Sequence, residues 1–206
     1  MNYPVWNVPY IGSGLVIGMV AIVHVLVSHF AIGGGLFLYL TEKKALREGR
    51  EDWLKRLPGY SKFFLVLTGV VGAMTGVGIW FSIGLANPAG TSTLIHNFVF
   101  GWATEWVIFL VELSLAAAYY YTWGRLPSGV HVRLGLLYAV SSFLTLVIIN
   151  GILTFKLTPS SAWLSVAGTG KEAEHFFEAF FNPTYWPSLA LRTLVCISMG
   201  GVMSLV

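Results

Sequence analysis

The sequence predicts an all-α integral membrane protein with five transmembrane helices and its N-terminus outside. Three observations predict it. First, the 206 residues are 56% hydrophobic and only 10% charged, with a mean hydropathy of +0.74; a soluble domain carries about 25% charged residues. Second, apolar runs near 11–40, 63–85, 98–121, 134–155 and 186–206 reach the roughly 20 residues that a helix needs to cross hydrocarbon. Third, the basic residues sit in alternate connections. Segment 41–62 holds Lys43, Lys44, Arg47, Arg50, Lys55, Arg56 and Lys62, and segment 122–133 adds Arg125 and Arg133. Segment 86–97 has no charge, and 156–185 has only Lys156 and Lys171 against Glu172, Glu174 and Glu178. Positive residues favour the cytoplasmic side. Residues 1–206 therefore read as a single transmembrane domain whose C-terminus points inward. The net charge of +3 has this topological explanation and does not point to nucleic acid.

The first run is longer than a crossing requires. It is expected to tilt, or to bend at Gly33-Gly34-Gly35, where missing side chains weaken the helix and permit close contact. Met1–Tyr10 has no basic segment, so the run reads as a retained helix and not a cleaved signal. It carries His24 and His29. A neutral imidazole on a helix is the usual haem ligand in a membrane bundle. Five residues are about 140° of helical rotation, so the two rings serve different sites, or one is a ligand and the other packs.

The third run contains Gly101-Trp102-Ala103-Thr104-Glu105-Trp106-Val107-Ile108-Phe109-Leu110-Val111-Glu112-Leu113. Glu105 and Glu112 lie about two turns apart and project from nearly the same face. An ionised carboxylate in hydrocarbon costs about 2.5–3.5 kcal/mol even on the lenient insertion scale. Two of them imply a proton path, a cation partner or a cofactor; the alternative is a hydrogen-bonded pair that locks helix packing. His96, just before this run, reads as a second cofactor ligand or an interfacial anchor. Arg192, about 9 Å into the fifth run, either snorkels outward or neutralises a carboxylate or a haem propionate.

Trp6 and Tyr10, Trp53 and Tyr60, Tyr119 to Trp123, and Tyr185 and Trp186 form the interfacial belt. Segment 171–181 reads as a short amphipathic helix, with His175 on its solvated side. The single cysteine, Cys196, excludes an internal disulfide, and no Cys-x-x-Cys-His motif exists to attach haem covalently. No His-x-x-x-His pair, Glu-x-x-His motif or cysteine cluster points to zinc or a di-iron centre. No inverted repeat points to a transporter.

Five stretches in order resemble the N-terminal half of subunit I of the cytochrome bd quinol oxidases. They are Ala21–Glu42 with its early histidine; Gly72-Ala73-Met74-Thr75-Gly76; Glu105 to Glu112, followed by Trp123-Gly124-Arg125-Leu126; Asn150-Gly151; and Asn182-Pro183. The paired glutamates with the following aromatic run are the most specific element. The resemblance implies a bd-oxidase-like helical bundle in a prokaryotic inner membrane, with a b-type haem on His24 and a proton route along Glu105 and Glu112. It also implies partner membrane subunits, with quinol and c-type cytochromes as exchange partners. Where the family carries a fifth-span histidine for a low-spin haem, this chain has Arg192, which does not ligate iron. That departure counts against a low-spin haem there. The stretch Ile152–Pro159 also differs, and the sequence stops at Val206 inside an apolar run, so the family's further helices are expected either beyond that point or from elsewhere. The expected function is a bd-like electron-transfer membrane subunit, not a complete oxygen-reducing oxidase by itself. The alternative is a cofactor-free scaffold or anchor subunit of a respiratory complex that docks redox partners.

Overall fold

The computed structural model describes residues 5–205. Met1–Pro4 and Val206, the outer ends of the N-terminal segment and of the fifth run, lie outside them. The described residues form helices and turns without a strand. By length and composition, four helices can cross a membrane. They are α1 (Ser13–Glu48); a continuous rod, Glu51–Ala86; α5 (Val99–Tyr121); and α6 (Ser128–Leu157). The rod joins α2 (Glu51–Val66), a π-helical turn (Leu67–Gly72) and α3 (Ala73–Ala86). α4 (Pro88–Asn97) links the rod to α5. The fifth run folds as α9 (Tyr185–Val202), 18 residues with Arg192 inside it, and it is not among those four.

The basic segment 41–62 is helical where the sequence suggested a loop. α1 runs on through Glu42-Lys43-Lys44-Ala45-Leu46-Arg47, a string of good helix formers. It stops at Gly49, which takes a left-handed φ of 66° and returns its N–H to the Ala45 carbonyl. α2 starts two residues later with Glu51 and Asp52 in its first turn, where carboxylates complement the helix dipole. Segment 86–97 is also helical: Asn87 caps α4 by accepting from Gly90 N–H at 3.1 Å, and Pro88 occupies the first turn.

The loop before α9 contains α7 (Ser161–Val166), a 3-10 turn (Glu172–His175) and α8 (Phe176–Phe180). The amphipathic segment thus forms in two short pieces. Ala179 and Phe180 enter an apolar cluster with Leu94, Phe98, Ile152, Phe155 and Tyr185, which closes one end of the bundle.

α1 is the axis, packed against α9, α6, α3 and α2. The Gly33-Gly34-Gly35 triplet produces contact on three sides without ending the helix. A Cβ on Gly33 would sit 1.9 Å from the Cys196 carbonyl oxygen, and one on Gly34 would sit 2.0 Å from the Phe64 ring. Gly35 faces the Tyr138 ring of α6. Gly200 meets the Gly33 backbone in the same way from α9. Small residues that let backbones touch are the usual glue of membrane helices. Gly33→Ala drives a methyl into backbone that no rotamer can relieve, so it is expected to cost about 1–3 kcal/mol, the range for overpacking. Gly18 has nothing within 4 Å of its Cβ position, so Gly18→Ala is expected to be neutral or mildly stabilising. Thermal unfolding of both variants in detergent checks this; equal melting temperatures would contradict it.

Candidate functional site

His24 is half-buried on the face of α1 that meets the rod. Its Nδ1 lies 2.9 Å from Thr75 Oγ1. The Thr75 hydroxyl in turn reaches the Val71 carbonyl at 2.8 Å and that of Gly72 at 3.1 Å. Gly76 leaves room for the ring: a Cβ there would stand 3.2 Å from His24 Cε1. The ring also reaches the Gly72 carbonyl, so the rod offers His24 two acceptors close together.

His29 is buried and turned elsewhere. Its Nδ1 donates to the Val25 carbonyl at 2.7 Å, and the ring feels the charge of Arg192 on α9. The two rings thus have different hydrogen-bond partners, though they interact electrostatically. Arg192 is half-buried and donates through Nε to Ser188 Oγ at 3.2 Å, which donates to Asn150 Oδ1 at 2.8 Å. Among the described residues no carboxylate pairs with it. His96 is exposed at the end of α4, near Glu172 of the α7–α8 loop. The Glu172 carboxyl is held below its usual range by its own backbone N–H and by those of Gly168 and Gly170, with His96 adding a smaller effect. His96 is not brought to His24 or His29.

The two glutamates of α5 have unequal surroundings. Glu112 is buried and accepts from Ser142 Oγ at 2.6 Å and Thr145 Oγ1 at 3.0 Å, both on α6. Glu105 is half-buried with no hydrogen-bond partner among the described residues, and it feels the charge of Glu112.

A third carboxylate was not anticipated from the sequence. Glu42 is only 2% exposed. Its Oε1 lies 2.7 Å from His131 Nδ1, and its Oε2 accepts from the Tyr119 hydroxyl at 2.8 Å. His131 Nε2 faces the Tyr119 carbonyl at 2.9 Å. Both ring nitrogens thus meet acceptors, and both must carry protons to use them. The ring stacks on Tyr119 at 4.5 Å and lies 4.3 Å from Trp123, whose Nε1 donates to Ser61 Oγ on α2. The cluster ties α1, α2, α5 and α6 together. Glu42 was hidden because its neighbours Lys43 and Lys44 read as a loop. The usable signal was the stripe Ala31, Gly35, Leu38, Glu42, Ala45, all buried and spaced three or four apart.

Residues 13–205 match the family cytochrome bd terminal oxidase subunit I. The chain belongs to that family. No curated protein matches the chain. Membership makes it an integral membrane protein of bd-type electron transport and supports a haem cofactor in general terms. The residues at His24 suit a haem: an imidazole with Nδ1 engaged by Thr75 and a glycine, Gly76, against the ring. Arg192 does not suit one as an iron ligand, because a guanidinium keeps its protons and offers no lone pair. Among the described residues no three His, Cys, Asp or Glu side chains gather as a metal site.

Removing one partner of a buried ion pair strands the other. His131→Ala is therefore expected to destabilise the bundle by about 3–5 kcal/mol. Replacing Glu42 and His131 together by leucine should recover most of that loss. Thermal unfolding of the single and double variants measures the coupling; additive losses would show that the pair is not one unit.

Proposed function

We propose that this chain is the haem-binding membrane subunit of a bd-like electron-transfer complex, with His24 as an axial ligand of a b-type haem. The observation that carries the reading is the engagement of His24 Nδ1 by Thr75 of the rod, which leaves Nε2 as the nitrogen to meet iron. When bound, the haem supplies a one-electron iron couple within the bilayer. The chain's own residues hold it and compensate its charge. On the five-span reading, with α9 as the fifth crossing and the N-terminus outside, Glu105 lies nearer the outer face and Glu112 about 10 Å deeper. Ser142 and Thr145 keep Glu112 solvated by hydroxyls, and Glu105 remains the freer group to take or release a proton. Tyr138, one turn before Ser142 on α6, lies 6.4 Å ring to ring from Tyr119, so the Glu42–His131 pair continues the line of protonatable groups inward. His29, Arg192 and His96 remain candidate cofactor contacts, with Arg192 placed to meet a carboxylate or propionate. Exposed Met74, Phe81, Phe100, Trp106 and Val107 suit lipid and further membrane subunits, with quinol and c-type cytochromes as redox partners in a prokaryotic inner membrane. One observation favours the second reading, a cofactor-free scaffold: Arg192, with no counter-carboxylate among the described residues, stands where an iron ligand was expected.

The pyridine-haemochrome spectrum of the purified complex separates the two readings. The haem reading expects non-covalent haem b in the wild type and its loss in His24→Ala; a wild-type complex without haem supports the scaffold. In the loaded protein, reduction draws in a proton, so the haem midpoint potential should fall as pH rises, by up to about 59 mV per unit. Glu105→Gln and Glu112→Gln should flatten that slope; unchanged slopes in both would make the glutamates packing residues. Topology is checked in a Cys196→Ser background: a cysteine at position 170 should react with an impermeant thiol reagent from outside, and one at position 50 should not. The opposite pattern would invert the orientation.

A further inference from the structure

We propose that Thr75 is the positioning residue for His24: its hydroxyl accepts the Nδ1 proton and so fixes the tautomer that presents Nε2 to iron. The inference rests on the haem reading of His24 given above. A threonine hydroxyl has one proton and two lone pairs. Thr75 Oγ1 lies 2.8 Å from the Val71 carbonyl oxygen and 3.1 Å from that of Gly72. Carbonyls only accept, and two of them stand beside the hydroxyl proton. With that proton given to one of them, Thr75 accepts toward His24, 2.9 Å away; the Gly72 carbonyl is a second acceptor beside the ring. In this arrangement Nδ1 carries the proton, and Nε2 keeps its lone pair.

Two further features hold this arrangement. Gly76 lets the ring lie against α3, since a Cβ there would stand 3.2 Å from Cε1 and 3.7 Å from Nδ1. The π-helical turn Leu67–Gly72 ends just before Thr75. Accommodating one extra residue rotates everything after it by roughly 100° relative to an unbroken helix. Without that turn, Thr75 and Gly76 would not face His24. The π turn, the hydroxyl and the glycine act as one device. A hydrogen bond from Nδ1–H also makes the ring a stronger donor, as partners of metal-bound histidines generally do.

The test uses the purified complex with Thr75→Val, which keeps the β-branched shape and removes the hydroxyl. Thr75→Ser keeps the hydroxyl, and Thr75→Ala removes it with less bulk. Haem affinity is read by transfer to apomyoglobin, and the iron–histidine bond by its stretching frequency in the ferrous resonance Raman spectrum. The expected result is a loss of about 10- to 100-fold in affinity and a lower stretching frequency in the valine and alanine variants, with both restored by serine. Wild-type affinity and frequency in valine and alanine variants, while His24→Ala loses haem, would overturn the positioning role and leave the haem reading standing. Unchanged haem in His24→Ala would overturn both.

Discussion

The bundle depends on how closely its neighbours approach α1. At Gly33-Gly34-Gly35 the helix has no side chains, and backbone from α9, the Phe64 ring of α2 and the Tyr138 ring of α6 come in directly. In lipid there is little hydrophobic force between helices, so such contact has to come from small residues and from polar groups that find partners. Both occur along one helix. Two costly polar residues of α1 are answered by other helices, His24 by Thr75 of the rod and Glu42 by α5 and α6, while His29 turns back to the Val25 carbonyl of α1 itself. The close central packing brings those partners within reach, and the partners in turn fix the rotation of α1. Helix packing and site geometry are one constraint.

The same logic explains why the carboxylates of this family member differ in character. Glu42 and Glu112 have both oxygens engaged by protein donors, through His131 and Tyr119 in one case and Ser142 and Thr145 in the other. A fully answered buried network rigidifies what it joins. Glu105 has no hydrogen-bond partner among the described residues. The two glutamates that the sequence presents as a pair thus separate into an anchored one and a free one.

Much of this was legible from the residues, and the rest failed for physical reasons. The apolar runs located the helices, and the glycine triplet announced a close contact. Boundaries were read too short, because length in hydrocarbon limits the apolar run but not the helix; α1 continues until Gly49 adopts a left-handed φ. Asn87-Pro88 is a helix start in an uncharged segment that read as a plain loop. Glu42 and His131 were invisible as a pair because they lie 89 residues apart, each among charged neighbours. Thr75 stood in a Gly-x-x-Thr-Gly motif too common to interpret, and its partner His24 is 51 residues away. Sequence spacing reports what shares a helix face; it does not report which helix will face it.

The central claim is that His24, with Nδ1 turned to Thr75 of the rod, offers Nε2 to a haem iron. The most direct measurement is a density map of the intact complex purified with its native cofactors. The account predicts a macrocycle beside α1, its iron bonded to His24 Nε2, with Nδ1 still turned to Thr75. A map with that face of α1 packed by protein or lipid, or with iron bonded elsewhere and His24 free, would contradict it.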